Sequence, residues 1–276
     1  LGHKAIAITD RNTLAGVVRA HLAARETGIR LVVGARLDFT DSASLLCLPT
    51  GRAAYGRLSQ LITLGRRRAP KGECHLGLAD FLASSDGQIA IVLPPAKNHP
   101  AQDFPDRLRR IVAAMPGRSF LAGQNLMEGG DQRRLAALAA LADESGAPLV
   151  ATNDVHYHRA ERRDAQDAFT AIRHHATVAQ AGYRLFANAE RHLKPAEEMS
   201  RLFQRWPDAV TRTAEIARRC RFSLDELVYE YPDDEAPAGV SPQEHLARLT
   251  RDGAHERYPP ECYPDGVPQK ISAQLD

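Results

Sequence analysis

The sequence predicts an α/β protein on a largely parallel sheet, either an open doubly wound sheet or a closed βα barrel. Three observations predict it. Through the first 155 residues, short apolar runs alternate with longer amphipathic stretches, the pattern of repeated βα units. The links between them are short and punctuated by glycine. No Gly-x-Gly-x-x-Gly loop follows any of these runs, which favours a barrel over a dinucleotide-binding sheet.

The elements follow in order. A strand over Ala5–Thr9 leads to a helix over Leu14–Arg25, with Leu14, Val17, Val18, His21 and Leu22 on one face, Thr13 as its cap and Gly28 as its end. Strands over Leu31–Phe39 and Ser44–Leu48 precede a helix over Arg52–Leu64 that Gly65 stops. Next come a helix over Leu78–Ser84 with a strand over Ile89–Leu93, and a helix over Phe104–Ala114 with a strand over Phe120–Ala122. A helix over Gln132–Glu144, stopped by Gly146, enters a last strand over Leu149–Thr152. Beyond residue 155 only helices are expected, Arg163–His174 and Ala209–Cys220 among them. Tyr229–Pro242 contains three prolines and Gly239 and breaks the pattern, and Ser223–Glu235 holds six acidic residues and no basic one. A domain boundary is expected there. Ser241-Pro242-Gln243-Glu244 then reads as a capping box opening a new helix.

Composition excludes several classes. With 43% hydrophobic and 25% charged residues, the 276-residue chain is too apolar and too balanced for wholesale disorder. No apolar run approaches the roughly 20 residues that span a bilayer, so no membrane partner is expected. A formal charge of +2 does not by itself point to nucleic acid. Cys47, Cys74, Cys220 and Cys262 match no zinc or disulfide spacing, so reduced thiols in a cytoplasm are expected. Leu1 is followed within a few residues by a buried-type strand, and the other end halts in an unfinished helix, so the chain is expected to be a fragment.

Functional groups in βα architectures collect where strands end. Asn153-Asp154-Val155-His156 leaves the last strand, and in extended chain Asp154 and His156 point to one face and could share a metal. Spacing alone favours a structural role, because a metal site needs three or four ligands. Asp10 at the first strand end is a ligand, base or cap, while Arg11 beside it puts positive charge where a cation would sit. Cys74-His75 is an isolated pair, and His174-His175 on a helix point about 100° apart and chelate poorly. The basic runs Tyr157–Arg163 and Arg66-Arg67-Arg68 with Lys71 could meet phosphate or form a solvated face. No Gly-rich phosphate loop, nucleophile elbow or Cys-x-x-Cys pair occurs.

Five segments carry a resemblance: Lys4–His21 (KAIAITDRNTLAGVVRAH), Leu31–Phe39 (LVVGARLDF), Arg67–Leu76 (RRAPKGECHL), Leu149–His158 (LVATNDVHYH) and Ala187–Pro195 (ANAERHLKP). With Cys220–Pro232 (CRFSLDELVYEYP) and Pro242–Thr250 (PQEHLARLT), they make the chain resemble the bacterial error-prone DNA polymerases, damage-induced relatives of the alpha subunit of replicative DNA polymerase III. The resemblance implies a distorted βα barrel of the polymerase-and-histidinol-phosphatase (PHP) type, followed by the helical start of the polymerase core. Its expected divisions are residues 1–222 for an N-terminally truncated PHP domain, 223–240 for a linker and 241–276 for an incomplete start of the core.

The same resemblance implies what has been lost. A His-x-His motif of related polymerases would lie before Leu1. Their Thr-Asp-His motif matches Thr9-Asp10-Arg11, their Gly-Cys-Glu motif matches Gly34-Ala35-Arg36, and a cysteine ligand after Ile89–Leu93 is replaced by Pro94-Pro95. Only the Asp-x-His motif survives, as Asp154 and His156, a vestigial metal site. The full-length protein implied is a DNA-directed DNA polymerase, a nucleotidyltransferase of translesion synthesis and DNA repair. It would use Mg²⁺ on palm carboxylates in an Asp-x-Asp motif that this chain does not contain. The fragment itself is expected to be an inert, structural domain with no catalytic residue and no cofactor of its own, at most a degenerate Zn or Mn site. DNA would be met mainly through the missing part, with accessory proteins and the sliding clamp as further partners. Two rival readings are an active metal-dependent phosphoesterase or 3′–5′ exonuclease, and a protein-docking module of a translesion complex.

Overall fold

Short β-branched and aliphatic runs become six strands of one sheet: β1 (Ala5–Arg11), β2 (Arg30–Leu37), β3 (Leu45–Pro49), β4 (Gln88–Val92), β5 (Ser119–Gln124) and β6 (Leu149–Thr152). The computed structural model describes residues 1–95, 103–228 and 236–275. Strand order follows chain order from β1 to β6. The α/β class predicted by the sequence is therefore present. β1–β2, β4–β5 and β5–β6 pair in parallel, whereas β3 runs antiparallel to both β2 and β4. The seven residues between β2 and β3 are too few for a parallel crossover, which needs about a dozen or more, so the chain turns back on itself.

Helices α1 (Val17–Thr27), α2 (Arg52–Arg67), α3 (Leu78–Ala83), α4 (Phe104–Ala114) and α5 (Asp131–Ser145) connect the strands. After β6 come α6 (Arg163–Arg173), α7 (Val178–Ala181), α8 (Ala196–Leu202) and α9 (Pro207–Arg219). Alternation along the strands divides the core in two. Leu37, Leu45, Ala90, Leu121 and Leu149 join Leu58, Phe81, Leu108, Ile111 and Leu135 of α2 to α5. Their neighbours Val32, Leu48, Ile89, Ile91, Phe120 and Val150 pack with Ile216 of α9 and Cys220. Every residue of β4 is buried, as a strand covered on both faces requires.

Gly34 of β2 is where two strands approach most closely. A Cβ there would lie 2.8 Å from the Cys47 carbonyl oxygen and 2.5 Å from Leu48 Cδ2. Gly34→Ala is expected to cost about 1–3 kcal/mol, the usual penalty of overpacking, read as a lower denaturation midpoint at unchanged slope.

Helix α1 departs from expectation. It starts at Val17 rather than Leu14, and its N-cap is Gly16, whose N–H donates to Asp10 Oδ2 at 3.1 Å. Thr13 Oγ1 instead accepts from the Ala15 N–H at 3.1 Å. Val17 and Ala24 are buried, but Val18 and Leu22, expected on the packing face, are exposed. The late start rotates the face: α1 meets the sheet through positions seven apart, leaving Val18 and Leu22 beside that contact.

The chain divides into two compact units, Leu1–Leu227 and Val228–Asp276. Residues 223–227 are tied into the first: Ser223 caps a short 3-10 turn, and His21 Nε2 lies 3.3 Å from Asp225 Oδ1. The break expected over Tyr229–Pro242 and the acidic stretch ending at Glu235 fall partly outside the described residues. In the second unit α10 (Pro242–Arg257) opens with the expected capping box of Ser241 and Glu244, and α11 (Gln269–Leu275) follows. Among the described residues no helix is long and apolar enough to cross a membrane.

Candidate functional site

The candidate residues lie at the ends of β1, β2 and β6. At β6 the chain leaves the sheet at Thr152, and Asp154 takes a left-handed backbone (φ 42°), a conformation that aspartate tolerates better than most side chains. Extended alternation therefore does not explain how Asp154 and His156 come together. They do meet: His156 Nε2 stands 3.7 Å from Asp154 Oδ2, an ion-pair distance rather than a hydrogen bond.

The group in contact with Asp154 is Arg191. Its Nη1 donates to Asp154 Oδ2, and its Nη2 lies 3.6 Å from Glu128 Oε1. The guanidinium also sits 4.4 Å from the centre of the Phe186 ring, against which His156 tilts at 4.8 Å. Arg191 arrives by a strand-like contact that spacing does not reveal. The Asn153 side-chain amide donates to the carbonyls of Glu190 and His192, and the His156 N–H to that of Arg191. Tyr157 forms a parallel bridge with His192. Beneath them Lys194 is fully buried, its Nζ 2.8 Å from Glu190 Oε2 and donating to the Glu190 carbonyl at 2.7 Å. The only signal in the sequence was that ANAERHLKP resembled a known segment.

At the other strand ends the expected intruders pair with each other's carboxylate. Arg36 Nε donates to Asp38 Oδ1 at 2.8 Å, and Arg11 Nε lies 3.1 Å from Asp38 Oδ2. Ser44 Oγ completes the set by donating to Asp38 Oδ1 at 2.5 Å. Asn12, also left-handed (φ 50°), links β1 to β2: its N–H donates to the Arg36 carbonyl and its Oδ1 accepts from the Asp38 N–H. Arg66 donates to the Asn12 carbonyl and Arg68 to Asp80, so two arginines of one basic run are spent inside the protein. Asp10 acts as the cap described above.

These contacts shape the electrostatics. Burial raises the Asp154 carboxyl, but His156 and the Arg191 and Arg36 guanidiniums more than offset it, holding the pKa below the ordinary aspartate value. Burial likewise opposes, and Ser44, Arg36 and Arg11 outweigh it, at Asp38. A depressed folded-state pKa contributes stability above the unfolded value of about 3.9, lost as pH falls through the folded value. The unfolding temperature should thus hold steady down to about pH 5 and drop below pH 4, with Asp154→Asn flattening part of that drop. An acid limb unchanged in Asp154→Asn would contradict the pairing.

A divalent cation does not fit this arrangement. Among the described residues no group of three or more His, Cys, Asp or Glu is placed to hold a metal. A guanidinium occupies the open side of Asp154, and Arg36 adds charge of the same sign nearby. No nucleophile and base are brought together at these strand ends. Cys47 and Cys220 are buried, and burial pushes both thiols up, Cys220 to about 11, as for inert core cysteines.

No protein-family model matches the chain. Curated relatives do. Over 276 residues, all of this chain, it is 50% identical to the error-prone DNA polymerase of Caulobacter vibrioides and 43% identical to error-prone DNA polymerase 1 of Agrobacterium fabrum. A third, from Brucella abortus, is 46% identical over 98% of this chain. The chain spans about a quarter of the length of these relatives. The resemblance read from the sequence is thus borne out along the whole chain. Among solved structures, a protein described as a metal-dependent phosphoesterase from Bifidobacterium adolescentis is 14% identical with a TM-score of 0.41, covering 55% of this chain and 77% of its own. An amidohydrolase from Chromobacterium violaceum is 14% identical with a TM-score of 0.42, covering 54% and 75%. Both scores fall below the level at which a shared fold follows.

Proposed function

We propose that residues 1–227 are the PHP-type domain of an error-prone DNA polymerase, kept as a structural support after its metal centre was replaced by ion pairs. Residues 241–276 are the start of the polymerase core, and the stretch between is the linker. The observation that carries this reading is the Arg191 guanidinium on Asp154, with Arg11 and Arg36 both on Asp38. Identity over the whole chain to error-prone polymerases supports the family. The full-length protein transfers nucleotides to a DNA primer with Mg²⁺ during damage-tolerant synthesis and repair, in the cytoplasm. Vestigial Asp154 and His156 serve as ion-pair partners of Arg191 rather than as ligands.

A second reading, an active phosphoesterase or exonuclease, draws on one observation: Asp154 and His156 do converge and Asp154 is held ionised. Activity separates the two. The 276-residue chain is expected to hydrolyse neither a phosphomonoester nor a DNA 3′ end above background with Mn²⁺ or Zn²⁺ present, and to extend no primer. The full-length protein is expected to extend primers, and to do so undiminished with Asp154→Ala if the fold is kept. Hydrolysis abolished by Asp154→Ala would establish the rival.

A further inference from the structure

Helix α6 is turned inside out. Its buried residues are Asp167 and Ala171, whereas Phe169 and Ile172 are 67% and 68% exposed. Asp167 is held by Arg163, whose Nε lies 3.4 Å from Asp167 Oδ2 and whose Nη2 donates to the Phe186 carbonyl at 2.8 Å. The inner side of the helix is therefore fastened by polar links and the apolar side faces outward. The next elements continue this display: Val178 of α7 is half exposed and Tyr183, in the turn after it, is fully exposed. Single exposed apolar side chains are ordinary, but four within Phe169–Tyr183, on a helix that buries its aspartate, mark a surface built to be covered.

Resting on the polymerase reading above, we infer that this α6–α7 face is the docking surface for the rest of the polymerase polypeptide. The relatives are about four times as long as this chain, so three-quarters of such a protein lies outside it and must be carried against this domain or beside it. Phe169 and Ile172 stand three apart on one helical ridge, the spacing at which side chains insert together into a facing groove. An aromatic with neighbouring aliphatic anchors is the composition of a desolvated protein interface. Ile172 and Val178 offer nothing to a phosphate backbone, which disfavours a nucleic-acid strand on the same face.

The test uses the whole polymerase with a photoreactive amino acid in place of Ile172. Irradiation is expected to join this position to one peptide of the same polypeptide outside residues 1–276, and Phe169→Asp to remove most of that crosslink. Crosslinks to a second copy, crosslinks only to added DNA, or no crosslink with α6 amides exchanging as freely as exposed helix would each overturn the inference. Primer extension by the same preparation reads the polymerase assignment separately. Absent extension with the intramolecular crosslink intact removes the polymerase and keeps the interface.

Discussion

Arg191→Met is expected to lower stability by about 3 kcal/mol, toward the low end of the cost of stripping one partner from a buried pair. Arg191 is 14% exposed and Asp154 29%, so water relieves part of the exposed carboxylate's penalty. The loss has three parts: the contact to Asp154, the longer pair with Glu128, and the stacking on Phe186. Thermal unfolding reports it as a fall of about 6–12 °C for a protein of this size. Arg191→Lys should recover only part, because a point ammonium cannot reach two carboxylates and cover a ring as a planar guanidinium does. A variant as stable as the parent would mean that Arg191 merely rests on the site.

Lys194→Ala is expected to cost about 3–5 kcal/mol. Its side chain is wholly buried, and Glu190, its ion-pair partner, is itself three-quarters buried. Truncation removes the counter-charge, the donor to the Glu190 carbonyl and the packing of the aliphatic stem at once. Lys194→Met keeps the stem and should lose less, so the difference between the variants separates packing from charge. The effect should spread to the Arg191 site, because Lys194 fastens the Glu190–Leu193 segment that bridges to Tyr157. Faster exchange of the His156 amide, which donates to the Arg191 carbonyl, checks that coupling.

Much of this fold could be read from residue patterns, and the exceptions have physical causes. The unbroken apolar run of β4 and the alternation in β5 and β6 point to strands in either reading frame. Direction is different: an apolar run has none, and the reversal of β3 shows only in the length of the link before it. Helix α1 was misplaced because a Thr-x-x pattern imitates a cap, while the N–H at its start is met from Asp10, six residues away. Asp154 and His156 were found for a reason that fails, since left-handed Asp154 breaks the alternation that pointed to them. Arg191 lay beyond spacing arguments because it meets Asp154 across 37 residues through a single bridge. The opposing charges of Arg11 and Arg36 were legible, but not their convergence on Asp38, which needs two strand ends side by side.

The central claim is that guanidiniums have taken the place of metal ions at these strand ends. Titration of Zn²⁺ or Mn²⁺ into the purified protein at neutral pH, followed by calorimetry with metal analysis after dialysis, tests it most directly. The account predicts no saturable binding and only trace metal retained. Two or three ions held per chain, and lost in Asp154→Ala, would contradict it.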